Sequence, residues 1–178
     1  MRLRYPASVS IFCACATAWT PARAQQSPSS TGSAAVEIVL PSAFQNLGDL
    51  DFADIIVTTP GTATINPNSD AMTVTGGISA ASGTPKASVF EIRPSKRGAI
   101  FIQIPTAPVA LTRVSGTEIV TVSNWTISSN VQSVGGGRYK VVAAEDPIRF
   151  KIGGTLIVSA NQVPGTYVGT FDVTVDNP

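Results

Sequence analysis

The sequence predicts an all-β domain, a sandwich of mostly antiparallel strands, from three observations. The β-branched residues Thr, Val and Ile recur with Ser and Gly, while Leu, Lys and Glu are sparse and only 13% of residues are charged. Branched side chains fit a pleated, half-buried surface. Thirteen prolines and fifteen glycines cut the chain into runs of strand length. No run shows a sustained helical period with caps, which argues against α/β enzyme folds.

The elements follow in chain order. Arg2 and Arg4, the small-to-apolar run Ala7 to Ala18, and the small-x-small signal Ala22-Arg23-Ala24 predict a signal peptide over residues 1–24. The run is too short and too weakly apolar for a good membrane span, so no span is expected in the mature chain. Both cysteines, Cys13 and Cys15, lie inside this segment. A mature chain starting at Gln25 then has no disulfide; lipidation of Cys15 is the alternative, against poor preceding residues. Residues 25–33, rich in Gln, Ser, Pro and Gly, predict a flexible leader, and residues 34–178 a single β-sandwich domain.

Ala34 to Leu40 alternates Val36, Ile38 and Leu40 with Ala35, Glu37 and Val39 and is the first strand candidate. Phe44 to Val57 carries Leu47, Leu50, Phe52 and Ile55-Ile56-Val57. Gly61 to Asn66 and Met72 to Ile78 predict a hairpin across Asn66-Pro67-Asn68-Ser69-Asp70. Ser88 to Arg93 and Ala99 to Ile104 read as the next pair, joined by Pro94 to Gly98. Val109 to Val114, Thr117 to Ser128, Arg138 to Ala143 and Ile148 to Val158 complete the middle of the chain, the last two divided at Asp146-Pro147. After a Pro164-Gly165 turn, Tyr167, Gly169, Phe171, Val173 and Val175 alternate with Val168, Thr170, Asp172 and Thr174. That period of two is what a strand buried on one face requires, so Gly165 to Val175 is predicted as one terminal strand.

The composition narrows the chemistry. The chain has no histidine, which removes the commonest general base and transition-metal ligand. Without mature cysteine, thiol nucleophiles and thiolate metal sites go too. Carboxylate pairs, Lys or Tyr remain, but the acids are scattered through turn-like segments, so no enzyme activity and no cofactor is expected. Loss of Arg2, Arg4 and Arg23 from the twelve basic residues leaves nine against eleven acidic ones. Neither that balance nor any aromatic-basic interleaving points to nucleic acid.

Four motifs carry a functional and a structural reading each. Asp49, Asp51 and Asp54 form the densest acidic cluster. Strand alternation would put Asp49 and Asp51 on one face and Asp54 on the other, which favours a solvated edge over a calcium site. Gly135-Gly136-Gly137 precedes a strand-like run and reads as a hairpin loop, since a phosphate loop needs a following helix. Gly153-Gly154 inside a strand marks a bulge or a close backbone approach. Lys96 and Arg97, with Arg93 nearby, read as a solvated basic turn or a weak contact with an acidic partner. Asn124-Trp125-Thr126 matches a glycosylation acceptor, and Trp125 reads as core.

Four segments together carry a resemblance: Leu50 to Ile55, Gly61 to Pro67, Phe150 to Leu156 and Gly165 to Val175. In order and spacing they resemble the bacterial secreted family called domain of unknown function 4402, over about Ala34 to Val175. That family usually shows Phe-Gly in the first motif, where this chain has Phe52-Ala53, and a polar-aromatic tail, where it has Asp176-Asn177-Pro178. The resemblance implies an immunoglobulin-like β-sandwich similar to fimbrial and adhesin subunits. It also implies placement in the periplasm or on the cell surface of a Gram-negative bacterium.

Two functions follow as expectations. One is a non-enzymatic, fimbria-like structural subunit that assembles by β-strand addition. Its partners would be copies of itself or other surface subunits and a periplasmic chaperone. Its donor would be Ala34 to Leu40, through Val36, Ile38 and Leu40, unless that segment is the domain's own first strand. The other is a small-ligand or glycan-binding module, for which Trp125, Tyr139 and Tyr167 are the available aromatics.

Overall fold

The computed structural model describes residues 43–95, 97–142 and 147–176. The signal-peptide segment, the leader and Ala34 to Leu40 lie outside the described residues. The described residues form strands and connections, with no helix. In chain order the strands are β1 (Ala43–Gly48), β2 (Ile55–Ile65), β3 (Met72–Ala80), β4 (Ser88–Arg93), β5 (Ala99–Gln103), β6 (Val109–Arg113), β7 (Ile119–Ile127), β8 (Gln132–Gly135), β9 (Arg138–Val142), β10 (Ile148–Val158), β11 (Tyr167–Val168) and β12 (Thr174–Asp176).

They build two antiparallel sheets. The larger runs β1-β4-β10-β7-β6-β11, with the β2-β3 hairpin also joined to β10; the smaller runs β12-β5-β9-β8. β10 is the pivot. Its first half, Ile148 to Ile152, pairs with β4, and its second half, Thr155 to Val158, pairs with β2. On the opposite edge β7 pairs with Ile152 to Ile157.

The register slips at Gly153-Gly154, where β10 shifts against β7. A Cβ on Gly153 would sit 2.2 Å from the Ile65 carbonyl oxygen. Both meanings of a strand glycine, bulge and close approach, are therefore realised there.

The β2-β3 hairpin is as expected. The Asn66 side-chain oxygen accepts from the Asn68 N–H at 2.9 Å, and its backbone carbonyl accepts from Asp70 at 2.9 Å. β2 is longer than the sequence suggested, because a bulge between Val57 and Gly61 lets it run through Pro60. Gly135, which ends β8, and Gly136 and Gly137, which form the β8-β9 hairpin loop, all have positive φ, 93°, 61° and 73°.

Two expectations are corrected. β4 and β5 are consecutive but not paired: β4 lies between β1 and β10, and β5 between β12 and β9. The Pro94 to Gly98 link therefore crosses between sheets. Nor is the C-terminal run one strand. Tyr167 and Val168 pair with β6 in the larger sheet, and Thr174 to Asp176 pair with β5 in the smaller. Residues 169–173 carry the chain from one sheet to the other.

The core has two centres. One gathers Ala63, Ile65, Ile78, Val120, Val122, Leu156 and Val158, capped by Phe52. The other gathers Phe90, Ile92, Ile100, Ile102, Ile148, Phe150 and Ile152. β10 feeds both, and Trp125 packs against both. Only the second centre takes side chains from the smaller sheet. In the first, Leu50, Phe52 and Ala87 come from connections and the other described members from strands of the larger sheet.

Candidate functional site

Two features of the described surface have the makings of a site: the edge at β1 and a cleft over the first core centre. Among the described residues β1 is an edge strand, bonded to β4 alone. Its sequence, Ala-Phe-Gln-Asn-Leu-Gly, carries no charge. Natural edges are usually blunted by Lys, Pro, a bulge or a covering loop; among the described residues, the bulge between Asn46 and Gly48 interrupts the ladder. Phe44 is 38% exposed and Leu47 48%. The Phe44 ring stacks on Phe90 with centroids 5.5 Å apart, and Phe90 stacks on Phe150 at 5.5 Å. Phe44 and Phe150 lie 6.4 Å apart as well, so the three rings form one stacked cluster across β10, β4 and β1, with Phe44 its exposed member.

The outer face beside this edge is tied by ion pairs. Gln45, Glu91 and Arg149 are register partners on β1, β4 and β10. Glu91 accepts from Arg149 Nε at 2.8 Å, Arg93 Nε at 2.9 Å and Gln45 Nε2 at 3.2 Å. Its side chain is 2% exposed although it faces away from the core. The Arg149 hydrogen bond, opposed by desolvation, holds its carboxyl below the ordinary glutamate range. Arg93 is thereby committed to Glu91 and not to a basic turn with Arg97; Lys96 lies outside the described residues.

The second feature is a cleft of about 550 Å³. Leu111, Val120, Leu156 and Val158 line its floor; Phe52 to Ile55 form one wall and Val163 to Tyr167 the other. The first wall is clamped to residues 81–86: Asp51 and Lys86 exchange backbone hydrogen bonds at 2.9 and 2.8 Å, and Asp54 does the same with Ser82 and Ala81 at 3.0 and 2.9 Å. Ala53 sits at φ 55°, a left-handed conformation uncommon outside glycine. The Asp51 carboxylate accepts the Ala53 N–H at 2.8 Å, which holds that turn. In the second wall the Tyr167 hydroxyl donates to the Val163 carbonyl at 2.5 Å and accepts from Gln162 at 2.7 Å.

The sequence-predicted residues are distributed as follows. Val36, Ile38 and Leu40 lie outside the described residues. Tyr167 lines the cleft. Gly169 fits against β6, where a Cβ would come within 2.7 Å of the Ala110 carbonyl oxygen. Phe171 enters the second core centre, 4.7 Å from Trp125 and 6.2 Å from Phe90. Val173 and Val175 pack against the same centre. The inward face of the alternation is real, but it serves two sheets.

Asp49, Asp51 and Asp54 are not on strand faces: 49–54 is a connection with one bridge, Asp51 to Lys86. Asp49 accepts from Asn46 at 2.7 Å, and Asp54 accepts from the Ser82 hydroxyl. Among the described residues no group of three or more His, Cys, Asp or Glu could hold a metal ion. No helix among them is long and apolar enough to cross a membrane. Sequence reasoning missed the edge, because a free edge is a property of pairing; its only signal was the uncharged run of β1.

A family model described as "Domain of unknown function (DUF4402)" matches residues 42–177. The match begins one residue before β1, so Ala34 to Leu40 falls outside it. No curated protein and no solved structure matches the chain.

Proposed function

We propose that this chain, which belongs to the DUF4402 family of unknown function, is a non-enzymatic structural subunit that assembles by β-strand addition. The reading rests on the uncharged β1, an edge among the described residues, where Phe44, 38% exposed, is the outermost ring of a three-phenylalanine cluster. An added strand would pair with that edge and lay an apolar side chain on the free flank of Phe44.

Ala34 to Leu40 is the donor, with Val36, Ile38 and Leu40 on one face. Only Pro41 and Ser42 separate it from β1. A two-residue hairpin turn needs positive φ at its first position, which proline cannot adopt. A two-residue fold-back onto the same molecule's β1 is thereby disfavoured, which leaves that edge open to a neighbour's segment in this reading. The proposal includes a fimbria-like subunit with an immunoglobulin-like sandwich, in the periplasm or on the surface of a Gram-negative bacterium. Its partners are other copies or surface subunits and a chaperone that covers the edge before assembly.

The glycan-binding reading has less support. The Trp125 Nε1–H is taken by the Ala107 carbonyl at 3.1 Å and its ring lies against Phe171. Tyr139 packs on the second core centre, and the Tyr167 hydroxyl is bonded within its own wall.

Size-exclusion chromatography and electron microscopy of the purified protein test the assembly. The expected result is oligomers or fibres from the intact chain, and a folded monomer after deletion of residues 25–40. Protein that stays monomeric with those residues present would count against strand exchange.

A further inference from the structure

The cleft over the first core centre is at the other end of β1 from its Ala43 start, and assembly at the edge leaves it unexplained. Its volume, about 550 Å³, is within the usual range of small-molecule sites. Its floor is apolar: Val120, Leu156 and Val158 are 6%, 5% and 3% exposed, yet they line the space. Among the described residues, no strand of the smaller sheet contributes to this centre.

Among the described residues that line the cleft, Asp51 and Asp54 are the charged ones. Arg113 stands behind the second wall, against Gly165, and is paired with Glu118. One oxygen of each carboxylate is used, Asp51 by the Ala53 N–H and Asp54 by the Ser82 hydroxyl. The other oxygen of each has no protein donor among the described residues. Lys86 is the bridge partner of Asp51 and also contributes to lowering the Asp70 carboxyl. The wall that carries both acids is held rigid by its backbone bonds to residues 81–86 and by the left-handed turn at Ala53. Strain of that kind persists only where the surroundings enforce it, and it gathers at binding sites.

We propose that the cleft binds a small cationic amphiphile of the alkylammonium type. The alkyl body lies on Leu111, Val120, Leu156 and Val158, and the positive head sits between Asp51 and Asp54 at the rim. Apolar burial supplies the affinity. The two carboxylates supply the preference for a cation over an anion of the same length.

Isothermal titration of the purified protein at low salt, with octyltrimethylammonium, octanoate and 1-octanol as probes, tests this. The ammonium should bind at least about tenfold more tightly than octanoate. The double variant Asp51→Asn, Asp54→Asn keeps the acceptors for Ala53 and Ser82. It should bring the two affinities to within about twofold, one charge-independent pocket for both, and leave octanol binding unchanged. Thr166→Trp, at an exposed rim position, should weaken all three probes. Equal binding of octanoate and the ammonium, a cation preference that survives the double substitution, or no binding of any probe would each overturn the proposal. The comparison of probes on the unaltered protein needs no variant to fold.

Discussion

At the residue scale, the outer face of the larger sheet depends on a buried carboxylate. Glu91 is hidden by the side chains that pair with it, so its charge is favourable only while Arg149 and Arg93 stay in place. Its carboxyl is held below the ordinary range in the folded state. A depressed folded value means a stabilising contribution that is complete above the unfolded value, about pH 4.3. That contribution fades as pH falls through the lower folded one. Glu91→Gln should lower the denaturation midpoint at pH 7 and flatten its acid limb; urea unfolding at several pH values between 2 and 7 reads both effects. Ala53 gives the converse case. Its φ of 55° suits the glycine that the family resemblance leads one to expect after Phe52. Ala53→Gly should relieve about 1–2 kcal/mol of left-handed strain and return about 0.4–1 kcal/mol to the unfolded chain's entropy. A net stabilisation of about 0.5–1 kcal/mol, read from the urea midpoint, is expected.

At the element scale, the strands with a strong apolar period were the legible ones. Ile148 to Val158 and the Asn66 to Asp70 hairpin lie where their sequence puts them, because alternation and turn chemistry are local. β8 was not legible. Gln132-Ser133-Val134-Gly135 is exposed at every position, so it offers no apolar period, and only the glycine loop after it hints at a hairpin partner. The C-terminal run was legible as alternation but not as pairing. Tyr167, Phe171, Val173 and Val175 share one side in the sequence and are all half-buried in the structure. Period two says which side chains turn inward; it does not say which strand supplies the hydrogen bonds. Gly169 fits against β6 where no side chain would. β12 is then fixed to β5 by register and by Arg138, which lies 4.2 Å over the Phe101 ring and 3.7 Å from Asp176. The candidate site was legible only in part: the acids were visible as a cluster, but the connection that makes them a rim depends on Lys86, Ser82 and Gly83, some thirty residues away in sequence.

At the scale of the whole molecule, two core centres raise the question of whether they melt separately. β10 argues that they do not. Phe150 and Ile152 belong to one centre and Leu156 and Val158 to the other, on a single strand whose β7 ladder, Ile152 to Ile157, runs from one centre into the other. Losing either half removes ladder bonds from β7, which spans the junction at Gly153. Trp125, packed against both centres, links them again. Ile65→Ala in the first centre should cost about 2–5 kcal/mol, and Phe150→Ala in the second about 3–5 kcal/mol. Each should shift one shared transition, so that far-ultraviolet circular dichroism and Trp125 fluorescence give coincident curves in both variants. If Ile65→Ala instead gave an early phase that left the Phe150 centre folded, the bulge at Gly153-Gly154 would be a boundary between two folding units. A molecule built that way could open its cleft end without disturbing the β1 edge. Coincident curves tie the two ends together, so that filling the cleft or pairing the edge stabilises the same folded state.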